Sequence, residues 1–151
     1  MRGVLRSAAG LAIVMVATVA PVSAQEAVPA GHVKTVSGTA MIVRAHGAVP
    51  AKPGDPIYAT DTIRTAADGA IGVTLRDDTR VSLGPGSELK VERYVYAPGE
   101  GGLGMVLKFM RGVGVYVSGR MAKLAPDSIR LETPSAIVGV RGTTVAIRVG
   151  D

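Results

Sequence analysis

The stretch Ala70-Ile-Gly-Val-Thr-Leu-Arg-Asp-Asp-Thr-Arg-Val-Ser-Leu83 decides the class of fold. Its apolar residues recur at every second position on both sides of a polar turn, Arg76–Thr79. This spacing places one face of a β-strand on a core and the other face in water. The stretch therefore predicts a β-hairpin with a polar tip, where the acidic side chains are solvated.

The same alternation recurs on both sides of this hairpin, and helical spacing is nowhere sustained. It predicts extended segments over Val33–Arg44, Ile57–Thr65, Leu89–Tyr96, Met105–Val117, Ile129–Thr133 and Thr144–Val149. Short strands at this spacing indicate an all-β domain. A sandwich, a distorted barrel and a coiled solenoid share the pattern. We expect a single compact twisted β-roll or a short β-solenoid-like domain.

The sequence also predicts the structure of two connections and the buried face of one strand. Pro98–Gly104, with four glycines in seven residues, is typical of a long surface loop. Ser118–Asp127 is a polar connection that could hold one helical turn. In Leu89–Tyr96, the odd-numbered side chains point to one face of the strand and the even-numbered ones, including Tyr94 and Tyr96, to the other. We expect the odd-numbered face to be buried and the even-numbered face to be mixed.

The N-terminus has the layout of a secretory signal peptide. Arg2 and Arg6 precede an apolar run over residues 8–20, and Pro21-Val-Ser-Ala24 follows. The run is shorter than the roughly 20 apolar residues of a membrane-spanning helix. We therefore expect residues 1–24 to be a signal peptide cleaved near Ala24. The mature protein would be periplasmic or secreted, with no stable membrane span.

Composition excludes several kinds of site. The chain has no cysteine, so neither disulfides nor thiolate metal sites can support the exported fold. The net charge of +5 includes Arg2 and Arg6 of the predicted signal peptide, and this mild charge does not indicate nucleic acid as a partner. The chain after residue 24 fits one domain with a modest core.

The C-terminal stretch Leu131-Glu-Thr-Pro-Ser-Ala-Ile-Val-Gly-Val-Arg-Gly-Thr-Thr-Val-Ala-Ile-Arg-Val149 interrupts a β-type pattern with a proline, two glycines and an arginine. It resembles the C-terminal signature of the FecR-type domain, in which a Thr-Pro pair precedes an apolar run and then Gly-x-Arg-Gly-Thr. Weaker similarities are Gly54-Asp55, Asp61–Thr65, Asp68-Gly69-Ala70 and Leu75–Thr79. The chain is thus identified as a FecR-type domain over residues 31–150.

The resemblance implies a periplasmic, β-rich binding or scaffolding module that engages another envelope protein in signalling or envelope assembly. A peptidoglycan- or glycan-binding module is the alternative. Regulation of iron-siderophore sigma-factor signalling ranks third, since the predicted signal peptide leaves no room for a cytoplasmic segment. No nucleophilic triad or phosphate-binding loop stands out, so we expect neither an enzyme nor a cofactor.

The signature supplies the candidate site residues, which are Thr133, Pro134, Gly139, Arg141, Gly142 and Thr143. The Arg141 guanidinium either ties carbonyls of neighbouring turns or binds a partner carboxylate. The threonines are expected to satisfy nearby backbone groups. Thr144–Val149 is also a segment to which a partner strand could be added.

Other candidate groups have ordinary structural interpretations. Tyr94 and Tyr96 could stack on sugars, although cross-strand packing within the sheet is favoured. His32, placed in a mobile N-terminus, and His46 are 14 residues apart and lack an evident third metal ligand. Two carboxylate pairs, Asp77 with Asp78 and Asp55 with Asp61, lie where solvated aspartates of turns are common.

Overall fold

The structure, a computed structural model, describes residues 19–21 and 26–150, and the predicted signal peptide lies largely outside them. The described residues form twelve strands and one short helix. In chain order these are β1 Gly31–Ser37, β2 Ala40–Arg44, β3 Gly47–Pro50, β4 Pro56–Ile57, β5 Thr62–Thr65, β6 Ala70–Leu75, β7 Arg80–Leu83, β8 Glu88–Ala97, β9 Gly102–Val117, α1 Arg120–Leu124, β10 Ile129–Glu132, β11 Ile137–Gly139 and β12 Thr144–Val149. The all-β prediction is confirmed.

The strands build one curled sheet whose two halves share β9. We call the half with the order β4-β1-β6-β7-β9-β12 sheet A, and the half with the order β3-β2-β5-β8-β9-β10-β11 sheet B. Every pairing is antiparallel except that of β10 with β9. A solenoid stacks parallel coils, so the antiparallel pairing agrees with the β-roll form of the prediction.

β9 serves both halves because it changes direction part-way along its 16 residues. Glu88 faces Arg111 and Leu89 faces Phe109, which leaves Met110 as an extra residue in β9. Such a bulge bends a strand and shifts which side chains point inward. Phe109 and Tyr116, an odd number of residues apart, are accordingly both buried.

Gly112 and Ser87 form the joint between the two halves. Gly112 has φ 84°, and an added Cβ would lie 2.6 Å from Ser87 Cα, so only glycine fits. The Ser87 hydroxyl donates to Val113 O and accepts from Val113 N, each at 2.9 Å. Its side chain thus takes the place of a ladder pairing where β8 separates from β9.

The core lies between the inward faces of the curled sheet. Its largest fully buried side chains are Tyr116, Phe109, Ile42, Ile57, Ile63, Leu89, Met105, Leu107, Met121 and Leu131. At about 25 cal/mol per Å² of apolar surface removed from water, this burial is the main favourable contribution to folding. Helix α1 closes one end with Met121 and Ala122.

The predicted hairpin over 70–83 is present as β6 and β7, but its tip is not fully solvated. The Asp77 side chain is completely buried. One carboxylate oxygen accepts from Tyr94 Oη at 2.9 Å, and the other accepts from Thr79 Oγ1 at 2.7 Å and Met121 N at 3.2 Å. Asp77 therefore connects the hairpin to β8 and to α1, and the prediction of a solvated Asp77 is wrong.

A bulge in β8 also overturns the predicted buried face of that strand. Val91 faces Leu107 and Arg93 faces Val106, so Glu92 is an extra residue. After it the inward face moves to the even-numbered positions, and Tyr94 is buried while Arg93 and Val95 are exposed. Alternation alone does not reveal such a shift, because it depends on the partner strand.

Several segment boundaries differ from the sequence-based ones. Val33–Arg44 is two strands separated at Gly38-Thr39, and Ile57–Thr65 is interrupted by Thr60, whose φ is 75°. The expected long loop after β8 is a hairpin connection with a 3-10 turn over Pro98–Glu100, since β9 begins at Gly102. The helical turn in Ser118–Asp127 is confirmed as α1. Neither β3 nor β11 was predicted, and Gly47–Pro50 had been expected to belong to a loop.

Candidate binding site

The signature residues surround β11 and the entry to β12. Thr133 Oγ1 accepts a hydrogen bond from Ala136 N at 3.1 Å, and Thr133 N donates to Ala136 O at 2.8 Å. These bonds close the turn that contains exposed Pro134 between β10 and β11. At the other end, the Ser118 hydroxyl accepts from Thr143 N and donates to Thr143 O, both at 3.0 Å. The Thr133 side chain therefore closes its own turn, whereas at Thr143 the closing side chain is that of Ser118.

Gly142 adopts φ 59°, which is left-handed backbone. An added Cβ would meet no atom within 4 Å. This position therefore favours glycine because of its backbone conformation and not because space is short. Gly139, by contrast, ends β11 without a positive φ. The turn before β12 therefore depends on Gly142.

Arg141 is open to solvent. Its guanidinium lies 3.7 Å from Asp127 Oδ1, and the two side chains are 83% and 90% exposed. An ion pair this exposed contributes about 0–1 kcal/mol. Within the part of the chain that the structure describes, Arg141 donates no side-chain hydrogen bond to a carbonyl, so it does not tie neighbouring turns.

A cleft of about 550 Å³ lies beside Arg141, and we call it the signature cleft. Val140 is buried at its base, whereas the Ile137 side chain is 66% exposed. The cleft therefore combines apolar surface with two guanidinium groups. Its lining residues are Pro126, Asp127, Ile129, Arg130, Ile137, Gly139, Val140 and Arg141.

Tyr94 is not available for stacking on a sugar. Its ring is buried against the core, and its hydroxyl accepts from Asp77 N at 3.0 Å and donates to the Asp77 carboxylate. Burial, and then the negative charge of Asp77, raise the pKa of Tyr94 well above its ordinary value. Tyr96 is half-buried and packs against the core. The two tyrosines therefore do not form an exposed platform.

The other candidate groups have structural partners. Asp61 is buried and accepts from Arg44 Nε at 3.1 Å and from Tyr58 N at 2.9 Å, so it is not a solvated turn residue. His32 belongs to β1, facing Thr74, and not to a mobile terminus. Across residues 19–21 and 26–150, no group of three potential metal-ligating side chains occurs.

The outer face of sheet B is covered by ion pairs. Glu92 lies 3.0 Å from Lys90 Nζ and 3.7 Å from Lys108 Nζ. The hydrogen bond from Lys90 is the main cause that lowers the pKa of Glu92. The remaining pairs on this face are Arg64 with Glu88, Arg111 with Glu88, Lys108 with Glu132 and Arg130 with Glu132.

The outer face of sheet A carries short, uncharged side chains along its middle row, with the exposed residues Arg80 and Arg148 on either side of that row. Gly72 faces Ser82, Ser82 faces Val115 and Val115 faces Ala146, in a row across four strands. A groove of about 470 Å³, the sheet A groove, lies on this face. Its lining residues are Ser82, Leu83, Gly84, Val113, Gly114, Val115, Ala146, Ile147 and Arg148.

Comparison of the sequence with models of protein families identifies the family of the chain. The family model described as FecR protein matches residues 61–151, which is more than half of the chain. The chain belongs to the FecR family. No curated protein and no solved structure matches it. The resemblance drawn from the signature is thus confirmed at the level of the family.

The FecR match begins at Asp61, directly before β5. It includes the signature cleft, all of β9 and the edge strand β12, whereas β1–β4 precede it. The sequence indicated the cleft through Arg141, but the sheet A groove was missed. Its only signal was the run of valines at 113, 115 and 117, whose outward direction depends on the bulge at Met110.

Among the residues described, no helix is both long and apolar enough to cross a bilayer.

Proposed function

We propose that the protein is a non-enzymatic binding module of the bacterial envelope that engages another envelope protein through the signature cleft. Membership of the FecR family supports an envelope role. The observation that carries the proposal is the exposure of Ile137 beside Arg141 in an open cleft. Adjacent Val138 is also exposed. Exposed apolar surface rimmed by polar residues marks interaction sites, and arginine is enriched at protein interfaces.

The cleft indicates the chemistry of the partner. Arg141 and Arg130 present two guanidinium groups, and only exposed or partly exposed carboxylates of Asp127 and Glu132 lie near them, at 3.7 and 3.8 Å. A partner carboxylate can replace these contacts with bidentate hydrogen bonds. Ile137 and the buried floor at Val140 favour an apolar side chain next to that carboxylate.

The proposal places the mature protein in the periplasm or outside the cell, after cleavage near Ala24. The leader-like sequence of residues 1–24 supports this localisation. No cofactor is required by the proposed role. A role in signalling or in envelope assembly is compatible with the same cleft, and the identity of the captured protein would distinguish them.

A crosslinking pull-down tests the proposal. Tagged mature protein is crosslinked in a periplasmic extract, alongside Arg141→Ala, Ile137→Ser and the control Arg64→Ala, which removes an arginine of the sheet B face. We expect the wild type and the control to retain the same protein and both cleft variants to lose it. Melting curves establish that each variant is folded.

Two outcomes contradict the proposal. Retention of the protein by folded Arg141→Ala and Ile137→Ser would remove the cleft as the binding site. Capture of no specific protein by the wild type, with retention on purified peptidoglycan instead, would favour the glycan-binding alternative.

A further inference from the structure

The curled sheet has four edge strands among the described residues, and β12 differs from the other three. β3 ends at Pro50, β4 begins at Pro56, and β11 has only three residues. Prolines and short length are the usual protections of an edge against pairing with another chain. β12 has six residues, no proline and a single charge, so its edge lacks these protections.

The free edge of β12 presents unpaired backbone groups. Ser118 N donates to Thr143 O, which fixes the pairing pattern between β9 and β12. Because successive residues of a strand direct their backbone groups to opposite sides, the N–H and C=O of Thr144, Ala146 and Arg148 point away from β9. All three residues are exposed.

The inward side of β12 is incompletely covered. Val145, Ile147 and Val149 pack against the core but remain half-buried. Their open flank lies where the next strand of sheet A would lie. Apolar residues at alternate positions of an added strand would complete their burial, and removing this apolar surface from water favours association.

The outer side of β12 supplies a charge. Arg148 is the only charged residue that lines the sheet A groove, and it makes no ion pair within the described part of the chain. Its neighbour across the ladder is Val113. A carboxylate on an added strand would therefore meet an arginine that has no competing partner.

We propose that β12 accepts an extended segment of a partner protein as an added strand of sheet A. The segment alternates apolar residues, which cover Val145, Ile147 and Val149, with polar residues that include one carboxylate beside Arg148. A second copy of the chain fits less well, because Arg148 is the only charge on β12 and the copy would bring no carboxylate. The inference rests on the proposed role as a protein-binding module and gives it a second contact, outside the signature cleft.

A synthetic peptide of alternating valine and threonine with one central glutamate tests the inference, and a twin with lysine in place of glutamate is its control. Binding to isotope-labelled mature protein is followed by NMR. We expect shifts at the amides of Thr144, Ala146 and Arg148, and about tenfold weaker binding of the lysine twin. Shifts confined to other strands, or equal binding of both peptides, would overturn the inference.

Variants of β12 separate the backbone from the side-chain contribution. Ala146→Pro removes an N–H that points away from β9, so no ladder bond of β12 with β9 is lost, and binding should weaken about tenfold. Ala146→Val keeps the N–H and should bind like the wild type. Arg148→Glu, which leaves the backbone unchanged, should reverse the preference toward the lysine twin; an unchanged preference would contradict the role of Arg148.

The pull-down with the same variants distinguishes this inference from the proposed function. If the wild type and folded Ala146→Pro retain the envelope protein equally, strand addition fails while the proposed function stands. If the wild type captures no protein, the proposed function fails, and peptide binding still decides whether β12 accepts a strand. A wild-type dimer that Ala146→Pro converts to monomer in sedimentation would replace the partner segment by a second copy.

Discussion

The two halves of β9 present opposite kinds of surface to solvent. In sheet B, Lys108 of β9 belongs to a set of alternating charges in which each acidic group has a basic neighbour. In sheet A, Val113, Val115 and Val117 occupy the outward positions of the same strand. Solvated ion pairs discourage adhesion, whereas an apolar sheet face favours it. Within β9, the residues after Gly112 therefore present an apolar surface to solvent, and those before it belong to a charged surface.

We expect the largest loss of stability from a substitution at Gly112, in the joint between the two halves. Gly112→Val would force a β-branched residue to adopt φ 84° and to overlap Ser87, which should cost about 3 kcal/mol or more. Denaturant unfolding measures the loss. Gly99→Ala is the control, because an added Cβ there meets nothing within 4 Å. Equal stability of the two variants would show that sheet A and sheet B can be connected without glycine at position 112.

Ser87→Ala tests the joint without backbone strain. It removes the hydroxyl that both donates to and accepts from the backbone of Val113, in a residue with no exposed surface. We expect a loss of about 1–3 kcal/mol in the free energy of unfolding. Hydrogen exchange should also accelerate at the Val113 amide, while the amides of β8 paired farther along β9 stay protected. Uniform acceleration would argue against a local joint.

Gly142→Val tests how firmly β12 is attached to the apolar half. The substitution strains a left-handed residue but meets no neighbouring atom, so a loss of about 1–2 kcal/mol is expected. Gly139→Ala, which lacks the positive φ, should change stability less. An unchanged melting curve for Gly142→Val would mean that the turn can take another conformation.

Val115→Lys would reduce the contrast by adding a charge to the apolar face. Val115 is 39% exposed, so stability should change by no more than about 0.5 kcal/mol. Binding of the glutamate peptide or the captured protein should change instead, since the lysine enters the sheet A groove. Loss of folding in this variant would show that the valine face serves the core rather than a partner.

The smallest effect concerns the charged face. The pKa of Glu92 is lowered from its ordinary 4.5, chiefly by the Lys90 hydrogen bond. Because the folded-state pKa is the lower one, the stabilising contribution is present above the unfolded pKa and is lost as pH falls through the folded pKa. NMR titration should give a midpoint below 4.5 that rises in Lys90→Ala. An unmoved midpoint would remove Lys90 as the cause.

Local sequence patterns predicted the structural features that depend only on residues close together in the chain. The hairpin of β6 and β7, the turn of helix before β10 and the bounds of β12 follow from alternation and turn residues within a few positions. The family and the candidate cleft came from a short motif around Arg141. These features do not require knowledge of which strand pairs with which.

What the sequence did not predict depends on pairing between distant strands. The extra residues Glu92 and Met110 are bulges only because their partner strands skip them. The first reverses the expected face of Tyr94, and the second turns the valines of β9 outward. Asp77 looked like a solvated turn residue, since its partners Tyr94 and Met121 are far away in sequence. The sheet A groove likewise exists only once β7, β9 and β12 are adjacent.

The position of β9 also has a consequence for the order in which the chain folds. Sheet A and sheet B are joined through a strand that begins at Gly102, so the segments up to β8 cannot assemble into the roll before it arrives. A chain made from its N-terminus holds unpaired strand edges during that interval, when a chaperone is most useful. Folding should therefore be completed late and slowly, as is usual for proteins rich in contacts between distant segments.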